Sequence, residues 1–323
     1  MNMIETYKED FIAYLNEKIK VKEPVNLYKP IHYILQLGGK RLRPVLTLMT
    51  CDLFNGSIKN AYDAALAIEV FHNFTLIHDD IMDSAPIRRG KTTVHKKWDL
   101  NTGILSGDAM MILAYQCFES YEPPIFKKLL KLFSQTSLEV CEGQQLDMDF
   151  ETRNDVTISE YIKMITYKTS VLVAAAMKMG VIIANAKDEE ADAIYDFGLN
   201  LGIAFQLQDD YLDTFGNAAV FGKQIGGDII ENKKTFLYLK ALEVCTNKDK
   251  EKLLDYYNLT INNKNKVAEV TQLFKDNKLQ EITISEIEFY TKKAFKTLEK
   301  LSISEEKKLI LRNFGLGLMK RTI

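Results

Sequence analysis

Two acidic clusters carry the strongest chemical signal in this 323-residue chain: His78-Asp79-Asp80-Ile81-Met82-Asp83 and Gln206-Leu207-Gln208-Asp209-Asp210-Tyr211-Leu212-Asp213. Each contains the spacing D-D-x-x-D. On a helix this places the first and last aspartates one turn apart on the same face. Like charges so placed destabilise a helix by about 0.2–0.5 kcal/mol, and burying them costs far more unless a cation lies between them. The flanks Phe74-Thr75-Leu76-Ile77 and Ile203-Ala204-Phe205 are apolar, so neither cluster reads as an exposed charged stripe. Asp79, Asp80 and Asp83, and likewise Asp209, Asp210 and Asp213, are candidate metal ligands pointing into a cavity. A hard divalent cation suits them. Magnesium takes a few carboxylate oxygens, retains waters and completes its shell with substrate phosphate oxygens, so the expected second ligand is a phosphate or diphosphate.

Nearby basic residues strengthen the phosphate reading. After Asp83 the chain runs Ser84-Ala85-Pro86-Ile87-Arg88-Arg89-Gly90, where Pro86 is predicted to end the helix and the arginine pair to follow in a turn. The planar guanidinium bonds two phosphate oxygens at once. Upstream, Gly38-Gly39-Lys40-Arg41-Leu42-Arg43-Pro44 is a glycine turn loaded with cations, closed by a proline suited to opening a helix.

The elements that must hold these residues are helical. All six prolines lie at or before residue 124, so nothing beyond forces a helix to stop. Strand alternation and hairpin dipeptides are scarce. Thr157-Ile158-Ser159-Glu160 and Ser302-Ile303-Ser304-Glu305 read as capping boxes, and Asn55-Gly56 and Phe215-Gly216-Asn217 as helix ends. Helices are predicted over about 3–20, 45–54, 60–82, 104–120, 125–150, 158–184, 189–214 and 234–246, with several more to the end. No linker or repeat divides them, so the fold class is all-α: a single domain over 1–323, a helical barrel or bundle around a central apolar cavity.

Composition narrows the function classes. The 46% hydrophobic content supports a substantial core, and a net charge of −2 with only local basic runs gives no case for nucleic acid. Four cysteines without C-x-x-C or zinc spacing are expected to be reduced, buried thiols in a cytoplasmic protein. The N-terminus lacks a signal-peptide core. The apolar run 171–186, interrupted by Lys178, is expected to be a buried core helix and not a membrane span.

Several segments occur together in one order: 38–44, 69–90, Tyr167-Lys168-Thr169, 205–213, and Phe221-Gly222-Lys223-Gln224-Ile225-Gly226-Gly227-Asp228 continuing to Lys233-Lys234-Thr235. In that order the chain resembles the all-trans polyprenyl diphosphate synthases, head-to-tail prenyltransferases that include farnesyl and geranylgeranyl diphosphate synthases. The resemblance implies that the two aspartate clusters face each other at a cavity mouth. It implies Asp79, Asp83 and Asp209 as direct magnesium ligands, with Asp80, Asp210 and Asp213 supporting them. Arg88, Lys168, Thr169, Gln206, Lys223 and Lys233 resemble the binders of the allylic diphosphate (dimethylallyl, geranyl or farnesyl). Lys40, Arg43, His72 and Arg89 resemble the isopentenyl diphosphate site; His72 stands seven residues before Asp79, two turns up the same face. Asp79, Asp83, Asp209, Arg88, Lys168 and Lys223 are the catalytic set.

The implied reaction needs no protein nucleophile, and no serine–histidine or cysteine–histidine arrangement offers one. Metal and cations stabilise the departing diphosphate, the allylic cation adds to isopentenyl diphosphate, and proton loss, to the departed diphosphate in the family view, leaves a product five carbons longer. Phe71 and Phe74, at i,i+3 on one helical face, are the candidate chain-length floor. Phe74 precedes Asp79 by five residues, about 7.5 Å along a helix, and the pattern most resembles a C20 synthase, with C15 next and longer chains third. The resemblance also implies a homodimer, with the basic tail of relatives reduced here to Lys320-Arg321-Thr322-Ile323. Terpene cyclases share the fold and one acidic cluster but hold no second diphosphate. A non-catalytic subunit would have no need of intact aspartates and cations.

Overall fold

A computed structural model describes residues 3–216, 225–258 and 265–319. The chain divides into two compact units, residues 1–134 with 175–194, and residues 135–174 with 195–323.

In the first unit, α1 (Met3–Lys18), α2 (Val25–Gln36), α3 (Leu42–Leu53) and α4 (Ile58–Met82) precede a two-stranded hairpin, β1 (Ile87–Arg88) with β2 (Lys91–Thr92). The short α5 (Val94–Lys97), then α6 (Leu100–Gln116) and the start of α7 (Pro123–Thr152) follow. Helix α4 is the axis of this unit. Ala61, Ala64, Ala65 and Ala67 are fully buried on it, small enough for neighbouring helices to approach closely. Farther along, Phe71 meets Phe133 edge-on with ring centroids 5.2 Å apart, and Phe118 joins at 5.0 Å. Burial of each such ring stabilises the fold by roughly 1.5–3 kcal/mol. Two threonines tie α3 to α9 (Val171–Ile183): Thr47 Oγ1 donates to the Ala176 carbonyl at 2.9 Å and Thr50 Oγ1 to that of Met177 at 2.8 Å.

The second unit holds the end of α7, α8 (Ile158–Ile165), a wide π turn (Thr166–Ser170), most of α10 (Asp188–Phe215), and then α11 (Gly227–Ile230), α12 (Phe236–Val244), α13 (Asn247–Asn258), α14 (Lys266–Asp276), α15 (Leu279–Leu298) and α16 (Glu305–Met319). Its core is built from Tyr161, Leu207, Leu237, Leu253, Phe274 and Leu279, all within about 1% of complete burial.

The helical reading holds, with local corrections. Helix α2 lies outside the predicted set; it holds Pro30 in its interior and buries Ile31, Ile34 and Leu35. The predicted start near 104 moves to Leu100, where Asp99 caps the helix by accepting from the Thr102 amide at 2.9 Å. The Thr157/Glu160 capping box forms as expected. Near the second box, α16 begins at Glu305, and Ser304 Oγ accepts from the Lys307 amide at 3.4 Å. The predicted 158–184 helix runs over Ile158–Ile183, with the π turn Thr166–Ser170 inside it. Of the cysteines, Cys51 and Cys245 are buried, Cys117 is half-buried and Cys141 is exposed, so the expectation of four buried thiols fails at α7. The stretch Ile158–Ile183 is long and apolar enough to cross a membrane by length and composition alone, but 72% of its most apolar window is buried within the protein. That is the burial expected of a core helix.

Candidate functional site

Helix α4 ends at Met82, so Asp79 lies in its last turn and Asp83 caps it, with the Asp83 amide donating to the Asp79 carbonyl at 2.8 Å. Asp79 is half-buried and Asp83 exposed. Asp80 points the other way. It is buried, and Arg88 on β1 binds it bidentately, with Nε 2.8 and 2.9 Å from the two carboxylate oxygens and Nη2 at 2.7 Å from Oδ1. Arg88, expected to bind substrate, is held in place by Asp80 through its Nε and Nη2. The hairpin turn explains how the next residue diverges: Arg89 has φ 50°, and its Nη1 donates to the Gly38 carbonyl.

That contact brings the two basic segments together. Gly39, at φ 122°, passes under Arg89 so closely that a Cβ there would lie 3.0 Å from the guanidinium carbon. Arg41, also left-handed at φ 50°, opens α3 and turns inward to pair with buried Glu69 and the Leu35 carbonyl. Glu69 also accepts from Asn73 Nδ2 at 3.0 Å. Arg43 reaches His72, Nη1 to Nε2 at 3.2 Å, while its buried Nε finds no partner.

Arginine can only donate, so His72 Nε2 accepts and the imidazole is neutral. Its pKa is held well below the usual histidine value by burial and by the surrounding Arg43, Arg89, Arg88 and Arg41. Burial also lowers the pKa of Arg43 to about 10; Glu69 opposes the shift and Arg89 adds to it. Arg43, His72 and Arg89, with exposed Lys40 on the same turn, form a donor-rich pocket of the kind that an anionic ligand requires. Phe74 packs on Phe71 (centroids 5.4 Å apart) and edge-on against His78 (4.8 Å).

In the second unit, Asp209 is half-buried while Asp210 and Asp213 are buried. A relay fixes Asp210: Thr169 Oγ1 donates to Gln206 Oε1 at 3.2 Å, Gln206 Nε2 donates to Asp210 Oδ1 at 3.0 Å, and the Tyr161 hydroxyl donates to Oδ2. Asp213 Oδ2 accepts from the Asp228 amide at 3.0 Å. Burial raises the pKa of Asp210 to about 7, with Asp209 and Asp213 adding to the rise against the Tyr161 and Gln206 hydrogen bonds. Burial also raises Asp228 to about 8, with Asp210, Asp213 and Asp209 contributing. A divalent cation suits carboxylates crowded in this way.

Among the described residues no group of three or more metal-ligating side chains closes a metal site by itself. The half-open sets fit magnesium, which leaves coordination positions to water and phosphate.

Lys168 sits in the π turn, with Nζ 2.5 Å from Asp147 on α7. Lys233 Nζ lies 3.8 Å from the same carboxylate and 3.5 Å from Glu151. Gly143 allows this approach: a Cβ there would stand 2.2 Å from the Lys168 amide nitrogen. π turns recur at functional sites. Lys223 lies outside the described residues, as do Lys320 to Ile323. Sequence reasoning left Glu69, Arg41, Asp147, Tyr161 and Asp228 without roles. Their contributions come from partners 15 to 49 residues away, which spacing does not reveal.

A sequence profile of the polyprenyl synthetases matches residues 24–276. The chain is 44% identical over 233 residues, 72% of each chain, to a geranylgeranyl diphosphate synthase of Methanosarcina mazei. It is 40% identical over 245 residues to a geranylfarnesyl diphosphate synthase of Natronomonas pharaonis, covering 70% of this chain and 72% of that one. A crystal structure of a geranylgeranyl pyrophosphate synthase aligns over all of both chains with a TM-score of 0.96 and 52% identity.

Proposed function

The chain belongs to the polyprenyl synthetase family and is a prenyltransferase, and from that premise we propose that it is a short-chain synthase joining isopentenyl diphosphate to an allylic diphosphate, with geranylgeranyl diphosphate its main product. The observation that carries this reading is the pocket in which Arg43 and Arg89 gather around a neutral His72. A terpene cyclase holds one diphosphate and has no use for a second such pocket.

Lys40, Arg43 and Arg89 hold the diphosphate of isopentenyl diphosphate, while His72, kept neutral, fixes the Arg43 guanidinium. Arg88 anchors Asp80 and so sets the end of α4, leaving Asp79 and Asp83 turned outward. Lys168 and Lys233 offer donors to the allylic diphosphate, which displaces Asp147 as their partner, and Thr169 offers its hydroxyl in place of its bond to Gln206. Asp79 and Asp83 in the first unit, and Asp209 in the second, would each offer carboxylate oxygens to magnesium, which when bound would supply charge neutralisation for a leaving diphosphate. Cation donors poised at that diphosphate lower the ionisation barrier because they need no reorganisation. The isopentenyl double bond then forms the new C–C bond at the allylic carbon, and the adduct loses a proton.

Phe74 and Phe71 close the path of the growing chain at about C20; relatives bearing C20 and C25 names leave length to experiment. Leu105 and Ile112, 60% and 56% exposed on one face of α6, suit a second copy of the chain, so a cytoplasmic homodimer is part of this reading. The test is incubation of pure protein with magnesium, isopentenyl diphosphate and dimethylallyl, geranyl or farnesyl diphosphate, followed by sizing of the products. A C20 product that requires both substrates is expected. Cyclised hydrocarbon from an allylic diphosphate alone, or no product, overturns the reading.

A further inference from the structure

Lys266 is a charged residue in a core position. It opens α14, is only 5% exposed, and among the described residues no carboxylate forms an ion pair with it. Its ammonium donates to Asn232 Oδ1 and lies 5.2 Å from the centroid of the Tyr257 ring, which stacks on Tyr238 at 4.1 Å. Burying an ammonium with one neutral acceptor and one aromatic face is unfavourable unless the charge does something there. Burial also lowers its pKa, with no charged neighbour contributing.

What the ammonium holds is a tight turn. Asn232 is left-handed at φ 58°, and around it the Glu231 amide donates to the Gly227 carbonyl at 3.0 Å and the Lys233 amide to the Asp228 carbonyl at 2.9 Å. The same turn rests on the residue after Lys266: a Cβ on Gly226 would lie 2.3 Å from Val267 Cγ1. At one end of the turn, the Asp228 amide binds Asp213 in the acidic cluster. At the other, Lys233 points to Asp147 and Glu151.

We propose that Lys266 is a positioning residue that acts through Asn232, holding the 226–233 turn so that Asp228 stays on Asp213 and Lys233 stays beside Asp147. The inference rests on the prenyltransferase reading and extends it, because the turn then sets affinity for the allylic diphosphate and leaves the isopentenyl pocket of the first unit untouched.

Three variants test it. Lys266→Met keeps the apolar stem and removes the charge; Asn232→Gly keeps the left-handed backbone and removes the acceptor; Asn232→Asp retains an acceptor. Loss of one charge-assisted hydrogen bond is expected to raise the allylic KM about tenfold in K266M and N232G. The isopentenyl KM should change less than about twofold, with the double variant no worse than either single one. N232D should stay near wild type. Independently of activity, hydrogen exchange of the 226–233 amides should quicken in K266M and N232G while the α4 amides stay protected. Equal KM rises for both substrates, additive effects in the double variant, or unchanged exchange in the turn overturn the proposal. If wild type condenses and K266M matches it, only this inference fails; a wild type that does not condense sinks the prenyltransferase reading and this one with it.

Discussion

Gly143 on α7 offers the sharpest check on how the second unit presents its cations. A Cβ at this position would lie 2.2 Å from the Lys168 nitrogen and 2.7 Å from the Lys168 Cα and the Tyr167 carbonyl carbon. Carbon contacts are comfortable at about 3.5–4.0 Å, so α7 and the π turn must separate by roughly 1 Å. Every clashing atom is backbone, so no rotamer relieves the overlap. Gly143→Ala is therefore expected to cost about 1–3 kcal/mol by overpacking, which lowers Tm by about 2–6 °C in a chain of this size. The same shift carries Lys168 from Asp147 and Thr169 from Gln206, and a displacement of about 1 Å can cost 10²-fold in rate. The allylic KM and kcat should suffer together, with the isopentenyl KM nearly constant. Gly317→Ala is the control: it sits in α16 with nothing within 4 Å of its Cβ, and helix propensity alone should leave Tm level or slightly higher. Scanning calorimetry and steady-state kinetics read both variants. If Gly143→Ala keeps wild-type Tm and kinetics, the close approach of α7 to the π turn is not what sets Lys168.

Asp79→Ala and Asp209→Ala should each lower turnover beyond the roughly 10²- to 10⁴-fold that one general acid contributes, with circular dichroism unchanged; more than about a tenth of wild-type rate in either variant would remove the magnesium assignment. Arg89→Ala and Lys40→Ala should raise the KM for isopentenyl diphosphate, whereas Arg88→Ala should act on the allylic substrate and also lower Tm, because it strands the buried Asp80 carboxylate. Identical effects of all three on both substrates would dissolve the two-diphosphate picture. Phe74→Ala removes a ring that is 7% exposed and should shift products to longer chains at a stability cost of about 3–5 kcal/mol; an unchanged product profile in it and in the double variant with Phe71→Ala would place the floor elsewhere.

The sequence by itself determined the fold class and the roster of charged groups. Proline confined to the first 124 residues, cap residues and helical apolar spacing are local signals, and local signals survive without tertiary contacts. The D-D-x-x-D spacing likewise guaranteed a one-turn pair at Asp79 and Asp83, since both residues ride on one element. It missed α2, a helix that buries Ile31 and Ile34 around an internal Pro30, and placed the start of the last helix at Ser302 where it begins at Glu305. Only the tertiary structure decided how each charge is used. Arg41 and Arg43 are two residues apart on a basic turn and look alike in sequence. Yet Arg41 pairs with the Glu69 carboxylate and Arg43 reaches neutral His72, while each keeps a buried Nε without a partner among the described residues. The π turn at Thr166–Ser170 has the same standing, because what accommodates it is Gly143 on another helix. Whether a cation is spent on the fold or kept for a ligand depends on which carboxylate lies within about 4 Å, and for Arg41 that carboxylate belongs to a residue 28 positions along the chain.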